Sequence, residues 1–262
     1  MACFHEEVTH TELGLIVLSG SSGRLETQRC EVLRSHGIAA EPVQWFGGPG
    51  QPATPRRVAL ETFLPHLDRL DRDCRRVGIL GLSFGAEAAL LLAARDIRIS
   101  VVAALSPTSV VWECPDLVDA HPVHDAKWTW HGNPVPGVPY VDQNGLDLAD
   151  ARELHEKSLA ALNGSRADHE IPVECIDASV IVSAGGADRV WPSAAFSEEI
   201  VARRSQHGQD TTYLFHPDAG HRVVLPGETP PAPRADLPPG GDPAADRALG
   251  EQVLAALLRL AG

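Results

Sequence analysis

The chain has 262 residues, 44% hydrophobic and 22% charged, the composition of a globular protein long enough to bury a substantial core. A formal charge of −13 argues against nucleic acid and anionic membrane as general partners, because both are bound through basic surface that displaces counterions. No run of about eighteen apolar residues occurs and the first residues lack the basic and apolar regions of a secretory signal, so a cytoplasmic location is expected. Five cysteines (Cys3, Cys30, Cys74, Cys114, Cys175) are odd in number and widely spaced, which fits reduced thiols rather than a disulfide framework.

Residues 13–18 form a continuous apolar run, as expected of a strand buried on both faces of a parallel sheet. The small loop S-G-S-S-G follows. Residues 24–36 carry apolar groups at Leu25, Val32 and Leu33 and stop at Gly37, which predicts a helix closed by glycine. A strand over 38–45 completes a βαβ unit. The loop F-G-G-P-G-Q-P lacks the Lys-Ser/Thr pair that completes a phosphate-binding loop and reads as a turn. A helix over about 56–70, a strand over 77–82, a helix over 84–95 and a strand over 97–105 continue the alternation. Such a pattern predicts an α/β fold with a mostly parallel, doubly wound sheet.

Between about 106 and 172 the alternation stops. This segment contains Trp112, Trp128, Trp130 and Tyr140, a proline-rich stretch and a predicted helix near 146–162. An insertion of this length is expected to form a cap over the strand C-termini, its tryptophans making either an apolar binding wall or a satellite core. His121, His124 and Asp125 are closely spaced but lack a third well-placed ligand, so no metal is expected. A strand over 179–183, a helix over 193–205 and a strand over 211–215 come next. A proline- and glycine-rich stretch, 225–243, reads as surface loop, and a closing helix over 246–260 presents Leu249, Val253, Leu254, Leu257 and Leu258 on one face.

Chemistry enters at G-L-S-F-G, residues 81–85. An apolar strand, a G-x-S-x-G turn and an alanine- and leucine-rich helix form the nucleophile elbow of α/β-hydrolases, in which small residues let a strained serine project at the apex. A serine hydroxyl is a weak nucleophile and needs a base, which in turn needs a carboxylate to hold its tautomer. In this fold they follow in the order serine, acid, histidine, each after a strand. Ser83, Asp188 and His221 meet that order; Asp177, Asp210 and His216 compete less well, since each aspartate precedes its strand and His216 sits at a strand end rather than in a loop. The oxyanion hole is expected from the backbone N–H of Phe84 together with one from residues 20–23, with Ser21 and Ser22 as candidates.

The runs V-Q-W-F-G-G-P-G-Q-P, G-L-S-F-G-A-E, V-V-W-E-C-P, W-T-W-H-G-N-P-V-P-G-V-P-Y, I-P-V-E-C-I, A-D-R-V-W-P-S and D-A-G-H together resemble the catalytic domain of acyl-CoA thioester hydrolases and bile acid-CoA:amino acid N-acyltransferases. The resemblance extends from about residue 13 to the end, and the family's nucleophile, acid and base fall on Ser83, Asp188 and His221. It implies a serine hydrolase acting on acyl thioesters, with coenzyme A or an acyl carrier protein as part of the substrate and no cofactor of its own. Family members commonly carry a β-sandwich domain ahead of the catalytic one; the sequence before residue 13 is expected to hold none, leaving a single domain over 1–262. The position after the nucleophile, often lysine in that family, is Phe84. An oxygen nucleophile favours water as acceptor, whereas an acyl-thioester enzyme partitions more readily to amines; acyl transfer, a carboxylesterase of the dienelactone type and a non-catalytic binding protein are the alternatives. Trp112, Trp128, Trp130 and Trp191 are candidate acyl-binding residues, and Arg24 and Arg189 are candidate partners for phosphate.

Overall fold

A computed structural model describes residues 11–118, 121–142, 151–230, 232 and 237–262. The elements in order are β1 (Thr11–Leu18), α1 (Thr27–Ser35), β2 (Ala39–Val43), β3 (Val58–Ala59), α2 (Leu64–Asp73), β4 (Cys74–Leu82), α3 (Phe84–Ala93) and β5 (Ile99–Leu105). Two small hairpins follow, β6 (Leu117–Val118) with β7 (His121–Pro122) and β8 (Trp128–Trp130) with β9 (Asn133–Pro134). Then come α4 (Ala151–Ala160), β10 (Ser179–Gly185), α5 (Ser193–Gln206), β11 (Thr211–His216) and α6 (Pro243–Ala261).

Six strands form one parallel sheet in the order β11-β10-β5-β4-β1-β2. Alternation along β1 explains the two layers around it. Leu13, Leu15 and Val17 pack with Leu33 of α1 and with Leu249, Val253 and Leu257 of α6. Ile16 and Leu18 belong to the opposite core, with Leu67 of α2, Leu90 of α3 and Phe196 of α5. Helices on both faces leave the inner strands no wet side, which is why residues 13–18 and 101–105 read as unbroken apolar runs. The chain reverses its direction of winding between β1 and β4, and in such sheets the crevice at that switch point, above the strand C-termini, is where ligands are received.

The helix expected over 56–70 begins at Leu64, because Pro65 lies in its first turn, the place where a missing N–H costs least. Ahead of it, Val58 and Ala59 pair in parallel with Trp128 and Thr129. The strand expected from residue 97 begins at Ile99, and Ile97 stands 95% exposed in the turn. The helix expected near 146–162 is present as α4; its first five positions lie outside the described residues. The inserted segment is part of the main core rather than a satellite: Trp112, Trp128, Tyr140 and Leu154 share one buried cluster with Phe63, Leu90 and Phe196.

Candidate active site

The turn between β4 and α3 holds Ser83 at φ 58° and ψ −120°, a conformation that side chains rarely adopt and that the surrounding packing must impose. Two contacts show how. A Cβ on Gly81 would stand 2.1 Å from the Gly85 carbonyl oxygen, and one on Gly85 would stand 2.6 Å from that of Ser19. The Ser83 N–H donates to the Leu105 carbonyl at 2.9 Å, tying the apex to the end of β5. Phe84 opens α3, where the first N–H groups have no carbonyl in a preceding turn to bond.

Asp188 lies in the loop after β10 and His221 in the loop after β11. The structure brings them together, with His221 Nδ1 2.8 Å from Asp188 Oδ2. With Nδ1–H given to the carboxylate, Nε2 carries the free lone pair. Asp188 is almost wholly buried, and its oxygens are held by the N–H groups of Val190 (2.8 Å) and Trp191 (3.2 Å) and by the Ser193 hydroxyl (2.6 Å). The His221 loop is fixed by its own N–H to Pro239 O at 2.9 Å and by the Ser106 hydroxyl donating to His221 O at 3.0 Å. Trp191 packs edge-on against the His221 ring, centroids 5.4 Å apart. Asp177 and Asp210 line a separate cavity with Arg204 and Leu260, and the His216 ring accepts the Asp218 N–H at 3.2 Å.

Ser83 and His221 share a cavity of about 430 Å³ whose wall includes Gly20, Ser21 and Ser22 from the loop after β1. The loop sits close on the serine, since a Cβ on Gly20 would be 2.9 Å from Ser83 Cβ. Arg24 lines the cavity; Arg189, beside Asp188, is not among its lining residues. Nor are the four tryptophans expected at the acyl site. Trp112, Trp128 and Trp191 are fully buried in the core and Trp130 is half-buried against it, so their bulk is used for packing around this cavity. His121 and His124 face Asp142 (3.1 Å) and Glu113 (2.9 Å) separately, and Asp125 pairs with Arg56 and Arg57. Among the described residues no three His, Cys, Asp or Glu side chains form a metal cluster, Cys30, Cys74, Cys114 and Cys175 are unpaired, and no helix is long and apolar enough to cross a membrane.

Two groups beside the elbow were not singled out from the sequence. Glu87, one turn into α3, accepts Lys127 Nζ at 2.8 Å and Trp128 Nε1 at 2.7 Å, and the Trp112 N–H at 3.3 Å. Both charged side chains are 0% exposed. Burial pushes the Glu87 carboxyl up and the Lys127 amine down to about 8, while their mutual attraction opposes both shifts. The Lys127 ammonium also stands 3.3 Å from the centroid of the Phe84 ring. The second group is His155 of α4, enclosed by Trp112, Tyr140 and Trp191, with Nδ1 bonded to Ala151 O at 2.8 Å; burial pulls it down to about 4. The available signal was charge in an apolar setting: Glu87 interrupts F-G-A-E-A-A-L-L-L and Lys127 precedes W-T-W.

The family model described as BAAT / acyl-CoA thioester hydrolase C terminal matches residues 63–235, more than half of the chain and all three of Ser83, Asp188 and His221. No curated protein matches. Among solved structures, wild-type AbyA5 is 19% identical with a TM-score of 0.55, covering 97% of this chain and 62% of its own. A puromycin-hydrolysing peptidase of Mycobacterium tuberculosis is 15% identical with a TM-score of 0.59, covering 97% and 34%. Est1E of Butyrivibrio proteoclasticus with bound ferulic acid is 16% identical with a TM-score of 0.56, covering 95% and 89%. The chain thus spans less than two-thirds of AbyA5, and at these identities the likeness establishes the α/β-hydrolase fold.

Proposed function

Given that the chain belongs to the BAAT / acyl-CoA thioester hydrolase C-terminal family, we propose that it is a serine hydrolase that cleaves acyl thioesters through Ser83, His221 and Asp188. The observation that carries this reading is the 2.8 Å contact between His221 and a buried Asp188 at a cavity shared with the strained Ser83. Ser83 Oγ attacks the thioester carbonyl carbon as His221 Nε2 takes its proton, and Asp188 stabilises the imidazolium. The N–H of Phe84 and one from Ser21 or Ser22 receive the oxyanion. Collapse of the tetrahedral species breaks the C–S bond, and the His221 proton goes to the departing thiolate. A thiol with a pKa near about 8.5 leaves far more readily than an alkoxide, which favours thioesters over oxyesters. Water, deprotonated by His221, then adds to the acyl-serine ester and releases the carboxylic acid.

Coenzyme A or a carrier-protein pantetheine serves here as the leaving group, and the protein needs no cofactor of its own. A reducing, cytoplasmic setting is part of the same reading, supported by the unpaired thiols of Cys30, Cys74, Cys114 and Cys175 among the described residues. The test compares acyl-CoA with p-nitrophenyl esters of equal acyl length and follows the acyl group on Ser83 by mass spectrometry, with and without glycine or taurine. Faster thioester cleavage with an acyl-Ser83 species supports the reading. A strong oxyester preference overturns it in favour of a carboxylesterase, and trapping of the acyl group by the amine makes the enzyme a transferase.

A further inference from the structure

The loops that carry Asp188 and His221 leave neighbouring strands, β10 and β11, and touch directly where the Ala187 N–H donates to Ala219 O at 2.9 Å. Two residues further along each loop, a third segment joins them. The Pro239 carbonyl accepts the Arg189 N–H at 3.3 Å and the His221 N–H at 2.9 Å, and Gly240 pairs with Asp188 in an antiparallel bridge. One carbonyl therefore holds both the residue after the acid and the base itself. The fit leaves no room for side chains. A Cβ on Gly240 would stand 2.1 Å from Ala187 O in the acid loop, and one on Gly241 would stand 2.0 Å from Gly220 N in the base loop. These two glycines also take φ of 72° and 73°, in the left-handed region. Behind them the strap is anchored on α6. The Asp242 N–H donates to Asp218 O at 2.8 Å, and the Asp242 carboxylate caps α6 by accepting from the Ala244 and Ala245 N–H groups. In the first turn of that helix, Asp246, only 6% exposed, accepts the Gly220 N–H on Oδ1 at 2.8 Å. The helix itself is fixed in the core by Leu249, Val253 and Leu257.

Resting on the serine-hydrolase reading, we propose that Pro239, Gly240, Gly241 and Asp246 are positioning residues for the acid–base pair. The strap sets the spacing of the two loops, and with it the contact between His221 Nδ1 and Asp188 Oδ2, while Asp246 fixes the residue ahead of the base. Loops are the mobile parts of a fold, whereas reacting groups must be held to within about 0.5 Å. Hydrogen bonds inside one loop leave its distance from the other free; a carbonyl shared by both does not. Pro239 and Leu237 line the Ser83 cavity, but Gly240 and Gly241 are not among its lining residues, so a substitution at either glycine reaches the reaction through the two loops.

Amide hydrogen exchange on the wild-type chain reads the strap without any substitution. The Arg189 and His221 amides should show similar protection, because one carbonyl holds both and releases them together. A protected His221 amide beside an Arg189 amide that exchanges at the unprotected rate overturns the proposal. Gly240→Ala then presses on the acid loop and Gly241→Ala on the base loop. Per folded chain, each is expected to lower kcat for an acyl-CoA by about a hundredfold, the effect of a misplacement of about 1 Å, with KM little changed. The low-field proton resonance of His221 Nδ1–H on Asp188 should be lost in both, as in Asp188→Asn. A lowered melting temperature with kcat and this resonance unchanged makes the glycines merely structural and overturns the proposal. Asp246 supplies a pair of variants that leaves the strap backbone alone. Asp246→Ala orphans the Gly220 N–H and should cost about tenfold in kcat, and Asp246→Asn, which keeps an acceptor, should restore it. No loss in the alanine variant, or an equal loss in both, counts against the proposal. The exchange and resonance readings need no substrate. If the wild-type chain shows both but turns over neither thioester nor oxyester, the serine-hydrolase reading fails and the hold of the strap on the pair stands. Wild-type turnover with kcat unchanged in the glycine variants does the reverse.

Discussion

Replacing Lys127 by methionine removes the cation from a site where Glu87 cannot reach water. At 2.8 Å the attraction between the two charges is about 6 kcal/mol at an effective dielectric of about 20, offset in part by the desolvation of both. Without Lys127 the carboxylate is costly to keep ionised, and it escapes by taking a proton. That escape bounds the loss: holding a carboxyl of ordinary pKa 4.5 protonated at pH 7 costs about 3.4 kcal/mol. Lys127→Met is therefore expected to lose up to about 3 kcal/mol at pH 7. The folded variant then binds one more proton than its unfolded chain, so its own stability falls as pH rises, by about 1.4 kcal/mol per unit above pH 4.5. Denaturant titrations at pH 5, 6 and 7 read this directly. Adding Glu87→Gln, which keeps an acceptor for Trp128 Nε1 and the Trp112 N–H, should recover most of the loss and flatten the pH dependence. A deficit below about 1 kcal/mol at pH 7, or one independent of pH, refutes the ion-pair argument.

Ser83→Ala should abolish hydrolysis and labelling by a fluorophosphonate while leaving the melting temperature near that of the wild type; labelling that persists would place the nucleophile elsewhere. Asp188→Asn presents an amide to His221 Nδ1 and favours the wrong tautomer, so kcat should drop by a factor on the order of 10⁴, measured by steady-state kinetics. His155 has a folded pKa of about 4 against an ordinary 6.5, so below pH 6.5 the unfolded chain binds a proton the folded one does not. Between pH 6.5 and 4 it should withdraw about 3 kcal/mol of stability, and His155→Phe, which fits the aromatic surroundings, should lose that much less over the same range in denaturant titrations. Parallel pH profiles for the two proteins would contradict it.

The sheet was legible because burial on both faces leaves a one-dimensional trace: runs such as residues 13–18 and 101–105 are apolar throughout. The meeting of Asp188 and His221 was legible for a topological reason. Loops after adjacent parallel strands emerge at the same sheet edge, and β10 and β11 are neighbours, so two residues each a few positions past a strand end are brought within reach. What stayed hidden depends on partners distant in sequence. Trp112 and Trp128 read equally as pocket wall or packing, because an indole gives the same local signal in either; only the shared cluster with Phe63 and Phe196 shows which. Glu87 and Lys127 are forty positions apart, and single-sequence patterns assign isolated charges to the surface.

The charged set around Glu87 beside the elbow is closed by its own partners. Around Glu87, one ammonium, an indole N–H and a backbone N–H account for the carboxylate oxygens, and the set is sealed from water. It joins α3 to the segment carrying Trp112 and Trp128, and through the Lys127 ammonium it presses on the ring of Phe84, the residue whose N–H is assigned to the oxyanion. Such a closed set can position but has nothing left to offer a ligand. A substitution in this set should therefore register in stability and in kcat through the oxyanion donor.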